Sequence, residues 1–122
     1  MKRKTRRARL KANLEKAVKA YVKERDNYTC QWCGKEVQGT NCHWSHIIGR
    51  RIDGRLVYDP MNSLVHCYNC HINKWHKDPI AAAAWFEDMF PGRYAYLQEQ
   101  RIKNEKLGSI KEAWFLEQID LY

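Results

Sequence analysis

The sequence lacks any apolar run approaching the roughly 20 residues that a transmembrane helix needs. Its N-terminus, MKRKTRRARLKANLEKAVKAYV, also lacks the apolar segment of a secretory signal peptide. These absences argue against the membrane-spanning and secreted classes, so we expect a cytoplasmic protein with no membrane partner. With 122 residues, 44% of them apolar, we expect one compact domain plus an appendage.

Acidic residues are scarce in the first 25 positions, which hold eleven Lys or Arg against two Glu. This balance of +9 leaves −1 for the remaining 97 residues. A basic arm suits a polyanion, because each phosphate that it neutralises releases condensed counterions. A solubilising tail would have the same composition, and charge alone does not distinguish DNA from RNA. The residues expected to contact nucleic acid are Lys2, Arg3, Lys4, Arg6, Arg7, Arg9, Arg50 and Arg51.

The five cysteines cannot all form disulfides within one chain, and a reducing compartment disfavours disulfides in any case. Four of them form two C-x2-C pairs, Cys30 with Cys33 and Cys67 with Cys70. A two-residue spacer lets both sulfurs of a pair face one ion, so the spacing predicts a closed, structural zinc site. The fifth, Cys42, is predicted to be a small buried residue.

Apolar periodicity predicts helices at both ends of the chain. An amphipathic helix is expected over residues 8–25. Near the C-terminus, Asp78 and Pro79 should start a helix through IAAAAWFEDMF, and YAYLQEQRIK and SIKEAWFLEQI should form two more, the last capped by Ser109. Their aromatic side chains are expected to pack in the core or at an interface.

Between these helical regions, the chain has few helix signals and many Cys, His, Gly and Asn residues. CHWSHIIG and GRLVYDP flank the loop RRIDG, which predicts a loose hairpin whose second strand ends at Pro60. We therefore divide the chain into a basic arm and helix (1–25), a zinc-stabilised core (26–78) and a C-terminal helical segment (79–122).

The order of the polar residues in the core is C-x2-C, a histidine on a strand, an asparagine, and C-x2-C-H. This pattern resembles the HNH nucleases of the ββα-metal fold, in the version with a four-cysteine zinc. KERDNYTCQWCGK, WSHIIGRR and YDPMNSLVHCYNC extend the similarity to about residues 15–97. Within that group the chain is similar to phage recombination proteins of the NinG or Rap type and to small phage HNH endonucleases.

The resemblance implies an α+β fold with a small ββα-metal core and a structural zinc, flanked by the basic helix and the C-terminal helices. It implies a metal-dependent DNA endonuclease, encoded by a phage and active in the bacterial cytoplasm on duplex or branched recombination DNA. His46 would be the general base, Asn62 would brace the hairpin loop and orient that base, and His71 would bind a catalytic Mg, Mn or Ni ion. His76 and His43 are weaker candidates for further ligands.

Those residue types suit phosphodiester hydrolysis. A neutral imidazole with a pKa near 6.5 can take a proton from water, and a divalent ion can act as a Lewis acid on the phosphate. The side-chain carbonyl of Asn62 could hold the imidazole of His46 in the required tautomer.

One departure leaves the ligand set open, because family members carry Asp or His directly before the base and this chain has Ser45. His43 should point to the opposite face of a regular strand from His46 and could join the site only through a bulge or a turn. His71 and His76 are five residues apart and would share a face of an α-helix only approximately. The alternatives are a zinc-stabilised DNA-binding protein without turnover and an RNA-directed protein. Cutting both strands with one site per chain would favour a homodimer.

Overall fold

This computed structural model describes residues 4–122. They contain two short strands, four α-helices, one π-type helix and three short 3₁₀ turns. The helices are α1 (Arg6–Arg25), a π-type helix (Cys70–His76), α2 (Pro79–Met89), α3 (Arg93–Glu105) and α4 (Glu112–Ile119). The strands are β1 (His43–His46) and β2 (Ser63–His66). This mixed content confirms the predicted α+β class. None of the helices within residues 4–122 combines the length and the apolar character that crossing a membrane requires.

The basic helix α1 packs against the core through an apolar stripe. The stripe has the helical spacing predicted from the sequence, and its buried members are Leu10, Leu14, Val18 and Val22. Thr5 caps the helix, since its Oγ1 accepts a hydrogen bond of 3.1 Å from the Ala8 N–H. The helix therefore begins at Arg6, two residues earlier than predicted.

β1 and β2 form a two-stranded antiparallel sheet. His43 pairs with His66 at one end and His46 pairs with Ser63 at the other, with no bulge in between. The second strand is therefore not the predicted GRLVYDP segment but the four residues that follow Asn62.

The GRLVYDP prediction fails because aspartates at either end of the segment favour turns. Asp53 Oδ1 accepts hydrogen bonds from the N–H groups of Arg55 (2.9 Å) and Leu56 (3.0 Å). Asp59 Oδ1 accepts one of 2.9 Å from the Met61 N–H. These bonds close 3₁₀ turns over Leu56–Tyr58 and Pro60–Asn62, so Pro60 opens a turn and does not end a strand.

The C-terminal helices follow their predictions except at the start of α4. Asp78 caps α2 by accepting a hydrogen bond of 3.1 Å from the Ala81 N–H, with Pro79 as the first helical residue. Ser109 does not cap α4, which begins later, at Glu112, with no side-chain cap. The Ser109 prediction is wrong because Lys111 occupies the capping position.

Two hydrophobic clusters sit on either side of the sheet. One joins α1 and α4 to the cysteine-rich segment and includes Phe115. The other joins the strands to α2 and α3 and includes Phe86 and Leu97. Arg93 of α3 is 9% exposed and donates to the Met61 carbonyl at 2.6 Å, which fixes α3 to the turn before β2.

Candidate metal centre and histidine site

The four cysteines of the two C-x2-C pairs come together in space. Their Sγ atoms all lie within 4.8 Å of one another, and no other group of three or more His, Cys, Asp or Glu within residues 4–122 meets that criterion. Of the four, only Cys33 is exposed. Such a cluster could hold a metal ion such as zinc.

The local backbone around the cluster suits metal binding. After Cys33, Gly34 adopts a left-handed conformation (φ +76°), and its N–H donates to the Cys30 carbonyl at 2.9 Å. In the second pair, the Cys70 N–H donates to the Cys67 Sγ at 3.4 Å. Burial, together with the neighbouring thiols, raises the pKa of Cys70, because thiolates crowded together need a cation to stay ionised. The residues present therefore fit a divalent ion.

The fifth cysteine, Cys42, takes no part in this cluster. It is 7% exposed and packs in the hydrophobic cluster beside α1. Burial raises the pKa of its thiol. The sequence-based prediction of a small buried residue is confirmed.

Three histidines line up next to the cysteine cluster, with His71 in the middle. His71 Nδ1 lies 2.9 Å from His43 Nδ1, and His71 Nε2 lies 2.9 Å from His76 Nε2. The His43 Nε2 N–H donates to the Thr40 carbonyl at 3.0 Å, which leaves Nδ1 of His43 as the nitrogen with a lone pair. A histidine that binds a metal through one ring nitrogen usually donates a hydrogen bond from the other, often to a backbone carbonyl.

The two nitrogens of His71 face different partners, so the three histidines do not converge on one point. Burial and the imidazoles of His76 and His43 lower the pKa of His71 to about 4. Its ring is therefore neutral and able to bind a metal near neutral pH.

The π-type helix explains why His71 and His76 meet. Hydrogen bonding in a π-helix runs from residue i to i+5, so residues five apart lie one above the other. In an α-helix, which was expected from the sequence, His71 and His76 would share a face only approximately. His43 also reaches His71 without a bulge, because it is the first residue of β1 and directly follows Cys42 at the end of a 3₁₀ turn.

His46 lies beside this row of histidines. Its Nε2 is 3.2 Å from the Val57 carbonyl, which can only accept, so Nε2 carries the hydrogen and Nδ1 of the neutral ring can accept a proton. Burial lowers the pKa of His46, and the positive charge of Arg50 lowers it further. Burial thus favours the neutral form that a general base requires.

Two of the three predicted catalytic residues, His46 and His71, line a cavity of about 570 Å³, whereas Asn62 does not. The lining of this cavity also includes His76. A second, shallower groove of about 440 Å³ lies against α1 and includes His43, His46 and His71. His46 and His71 therefore form a wall common to both.

Asn62 is completely buried and braces the loop between the strands. Its Oδ1 accepts from the Ile48 N–H at 2.8 Å, while its Nδ2 donates to the carbonyls of Ile48 (2.9 Å) and Leu56 (3.0 Å). It does not bond to His46; Val57, the residue after Leu56, holds that ring. Asn62 thus fixes the backbone beside Val57, whose carbonyl sets the tautomer of His46. The sequence had predicted a direct contact between the side chain of Asn62 and His46.

Two buried residues differ from the sequence-based picture of the site. Ser45, at the expected ligand position, is 1% exposed, and its hydroxyl has no hydrogen-bond partner within residues 4–122. His66, to which no role was assigned, is completely buried among Trp32, Trp75 and Trp85. Burial lowers the pKa of His66 to about 3. The only sequence signal for its burial was its place on an apolar strand before Cys67.

The predicted basic contacts differ in how strongly the fold engages them. Arg7 donates to the Ile110 carbonyl at 2.7 Å and lies over the Phe115 ring, so it fastens α1 to α4. Lys2 and Arg3 lie outside the described residues. The exposed predicted contacts are Lys4, Arg6, Arg9, Arg50 and Arg51. Two of them also form loose ion pairs of 3.9 Å, Arg6 with Glu112 and Arg50 with Glu15.

No family model, no curated protein and no solved structure matched this chain. The resemblance to HNH nucleases therefore rests on the residue pattern alone.

Proposed function

We propose that this protein is a metal-dependent DNA endonuclease of the HNH type whose cysteine cluster holds a structural zinc. The observation that carries the proposal is the cavity in which His46 lies beside His71 and His76. A protein that only binds DNA does not need a tautomer-fixed imidazole next to a pair of potential metal ligands.

In this proposal, His46 takes a proton from a water molecule at its Nδ1. The water oxygen attacks the phosphorus as the bond from phosphorus to the 3′ oxygen breaks. The 3′ oxygen takes a proton from solvent, and His46 returns its proton to solvent, leaving 5′-phosphate and 3′-hydroxyl ends. The Val57 carbonyl holds the ring in the active tautomer throughout. A divalent ion bound by His71, with His76 or His43, would supply Lewis-acid stabilisation of the leaving oxygen.

The direct test is cleavage of supercoiled plasmid and of a four-way junction, with Mg, Mn, Ni or EDTA. We expect cleavage that requires a divalent ion, and imidazole ligands favour Mn or Ni over Mg. Absence of cleavage with every ion, while tight DNA binding persists, would support the alternative of a zinc-stabilised DNA-binding protein. The buried Ser45 is the observation that favours this alternative, because it removes one ligand from the expected set.

The pH dependence of cleavage should reflect His46. Because burial lowers its pKa below the ordinary 6.5, the neutral base persists to lower pH than for an exposed histidine. We therefore expect the cleavage rate at saturating divalent ion to stay level as pH falls through 6.5 and to drop only below it. A rate that already falls above pH 6.5 would contradict this assignment of the base.

The basic arm should supply affinity without sequence preference. Lys2→Gln, Arg3→Gln and Lys4→Gln together should weaken DNA binding and reduce the slope of log Kd against log salt by up to about 3. We avoid deleting residues 1–9, because Thr5 caps α1 and Arg7 contacts α4.

The matched control for the arm removes three exposed lysines of the C-terminal segment, Lys103, Lys106 and Lys111. Binding is measured by fluorescence anisotropy at several salt concentrations. An equal loss of slope in both triple variants would mean that the arm has no specific part in binding.

A further inference from the structure

We propose that the cavity beside His46 receives an unpaired base, so that the preferred substrate has an extrahelical or single-stranded nucleotide next to the scissile phosphate. The inference rests on the proposed nuclease function and specifies the substrate class of the same site.

The cavity has the size and lining of a site for a flat, aromatic ligand. Its volume of about 570 Å³ falls within the roughly 300–1,000 Å³ of small-molecule sites. Besides the histidines, its lining includes Trp75, Phe86 and Tyr94, together with the small residues Ala82 and Ala83 of α2. Tyr94 is 45% exposed and lies where a base could stack on it.

The adjoining groove supplies the charge that a phosphate backbone needs. Lys19, Lys23 and Arg50 line it, and Lys19 and Lys23 lie one turn apart on the same face of α1. Glu15 also lines the groove and pairs with Lys19 at 3.1 Å and with Arg50 at 3.9 Å, so three cations face one carboxylate. The groove keeps a positive balance and is complementary to phosphate.

The two concave surfaces share one wall, formed by Trp44, His46 and His71. Consider a nucleotide with its phosphate in the basic groove and its nucleobase in the apolar cavity. The sugar that joins them would lie at the shared wall, beside the proposed general base, His46. A base in a duplex is paired and stacked, and extruding it is least costly when it has no partner. The geometry therefore favours an unpaired nucleotide over a regular duplex.

The experiment compares binding to three oligonucleotides of the same sequence: a duplex, a duplex with one bulged nucleotide, and the same bulge with an abasic residue. Unmodified full-length protein is used without added divalent ion, so that turnover does not interfere and the His46 wall stays intact. We expect the bulge to bind roughly 5- to 150-fold more tightly than the duplex, and the abasic bulge to lose that advantage.

Two variant pairs locate the effect. Ala83→Leu fills the cavity, whereas Ala84→Leu, equally exposed on α2 but outside the lining, does not. Tyr94→Ala removes the proposed stacking surface, whereas Tyr21→Ala removes a tyrosine of similar exposure that packs edge-on against Tyr122. The preference for the bulge should fall in the first member of each pair and persist in the second.

The outcomes separate this inference from the proposed function. Equal affinity for bulge and duplex, with ion-dependent cleavage by the unmodified protein, would overturn the base cavity and leave the nuclease in place. A preference for the bulge that needs the base and is lost in Ala83→Leu would support the cavity even if no cleavage were found. If the abasic bulge still binds more tightly than the duplex, the preference comes from bending of the DNA backbone, and the inference is overturned.

Discussion

Replacing His46 by alanine should lower the rate of DNA cleavage by roughly 10²- to 10⁴-fold while leaving DNA affinity unchanged. The imidazole is the group that takes the proton in the proposed mechanism, and within residues 4–122 its ring hydrogen-bonds to the Val57 carbonyl at 3.2 Å and to no other group. Its loss should therefore remove chemistry and little structure. Single-turnover cleavage at saturating divalent ion measures the rate, and anisotropy measures the affinity.

Asn62→Ala is the comparison that distinguishes a base from a positioning residue. Asn62 is completely buried and makes three hydrogen bonds to the loop, so its loss should lower the free energy of unfolding by at least about 1–3 kcal/mol. In Asn62→Ala, the cleavage rate and the thermal stability should both fall. In His46→Ala, the cleavage rate should fall while the thermal stability stays unchanged. Cleavage that survives in His46→Ala would mean that another group takes the proton.

Removing the metal from the cysteine cluster should unfold the core. The two pairs tie the segment before β1 to the start of the π-type helix, and structural zinc contributes on the order of 10 kcal/mol to the folding of small zinc domains. Ordinary domains are stable by only about 5–15 kcal/mol, so Cys67→Ser or strong chelation should abolish cooperative unfolding. Circular dichroism on heating, with metal analysis of the purified protein, is the measurement.

Cys42→Ala is the matched control for the zinc prediction, since Cys42 is buried outside the cluster. We expect it to cost about 1 kcal/mol and to leave the metal content unchanged. A purified protein that contains no zinc and unfolds cooperatively after chelation would contradict a structural metal. So would equal destabilisation by Cys42→Ala and Cys67→Ser.

The helices of this fold could be predicted from the sequence because their signals are local. The apolar stripe of α1 and the Asp78–Pro79 start of α2 both act within a few residues. The second strand was assigned to the wrong segment because GRLVYDP has strand-like composition, while the turn-forming bonds of Asp53 and Asp59 decide its conformation. Asx turns compete with strands through side-chain geometry that composition does not register.

The candidate site was only partly readable from the sequence. The cysteine spacing predicted the cluster, since both members of each pair are close in the chain. The carbonyl that holds His46 belongs to Val57, whose identity carries no information about its backbone. The burial of His66 among three tryptophans depends on contacts across the sheet and helices, so residue type alone could not reveal it.

The π-type helix has a consequence for finding related chains. An α-helix brings two histidines onto one face with two or three residues between them, whereas here His71 and His76 have four between them and still meet at 2.9 Å. In the same helix, Trp75 donates its indole N–H to the His46 carbonyl at 3.1 Å. A search pattern of C-x2-C-H-x4-H, preceded by a strand histidine and an asparagine, would retrieve chains that share this arrangement and that a fixed α-helical spacing would pass over.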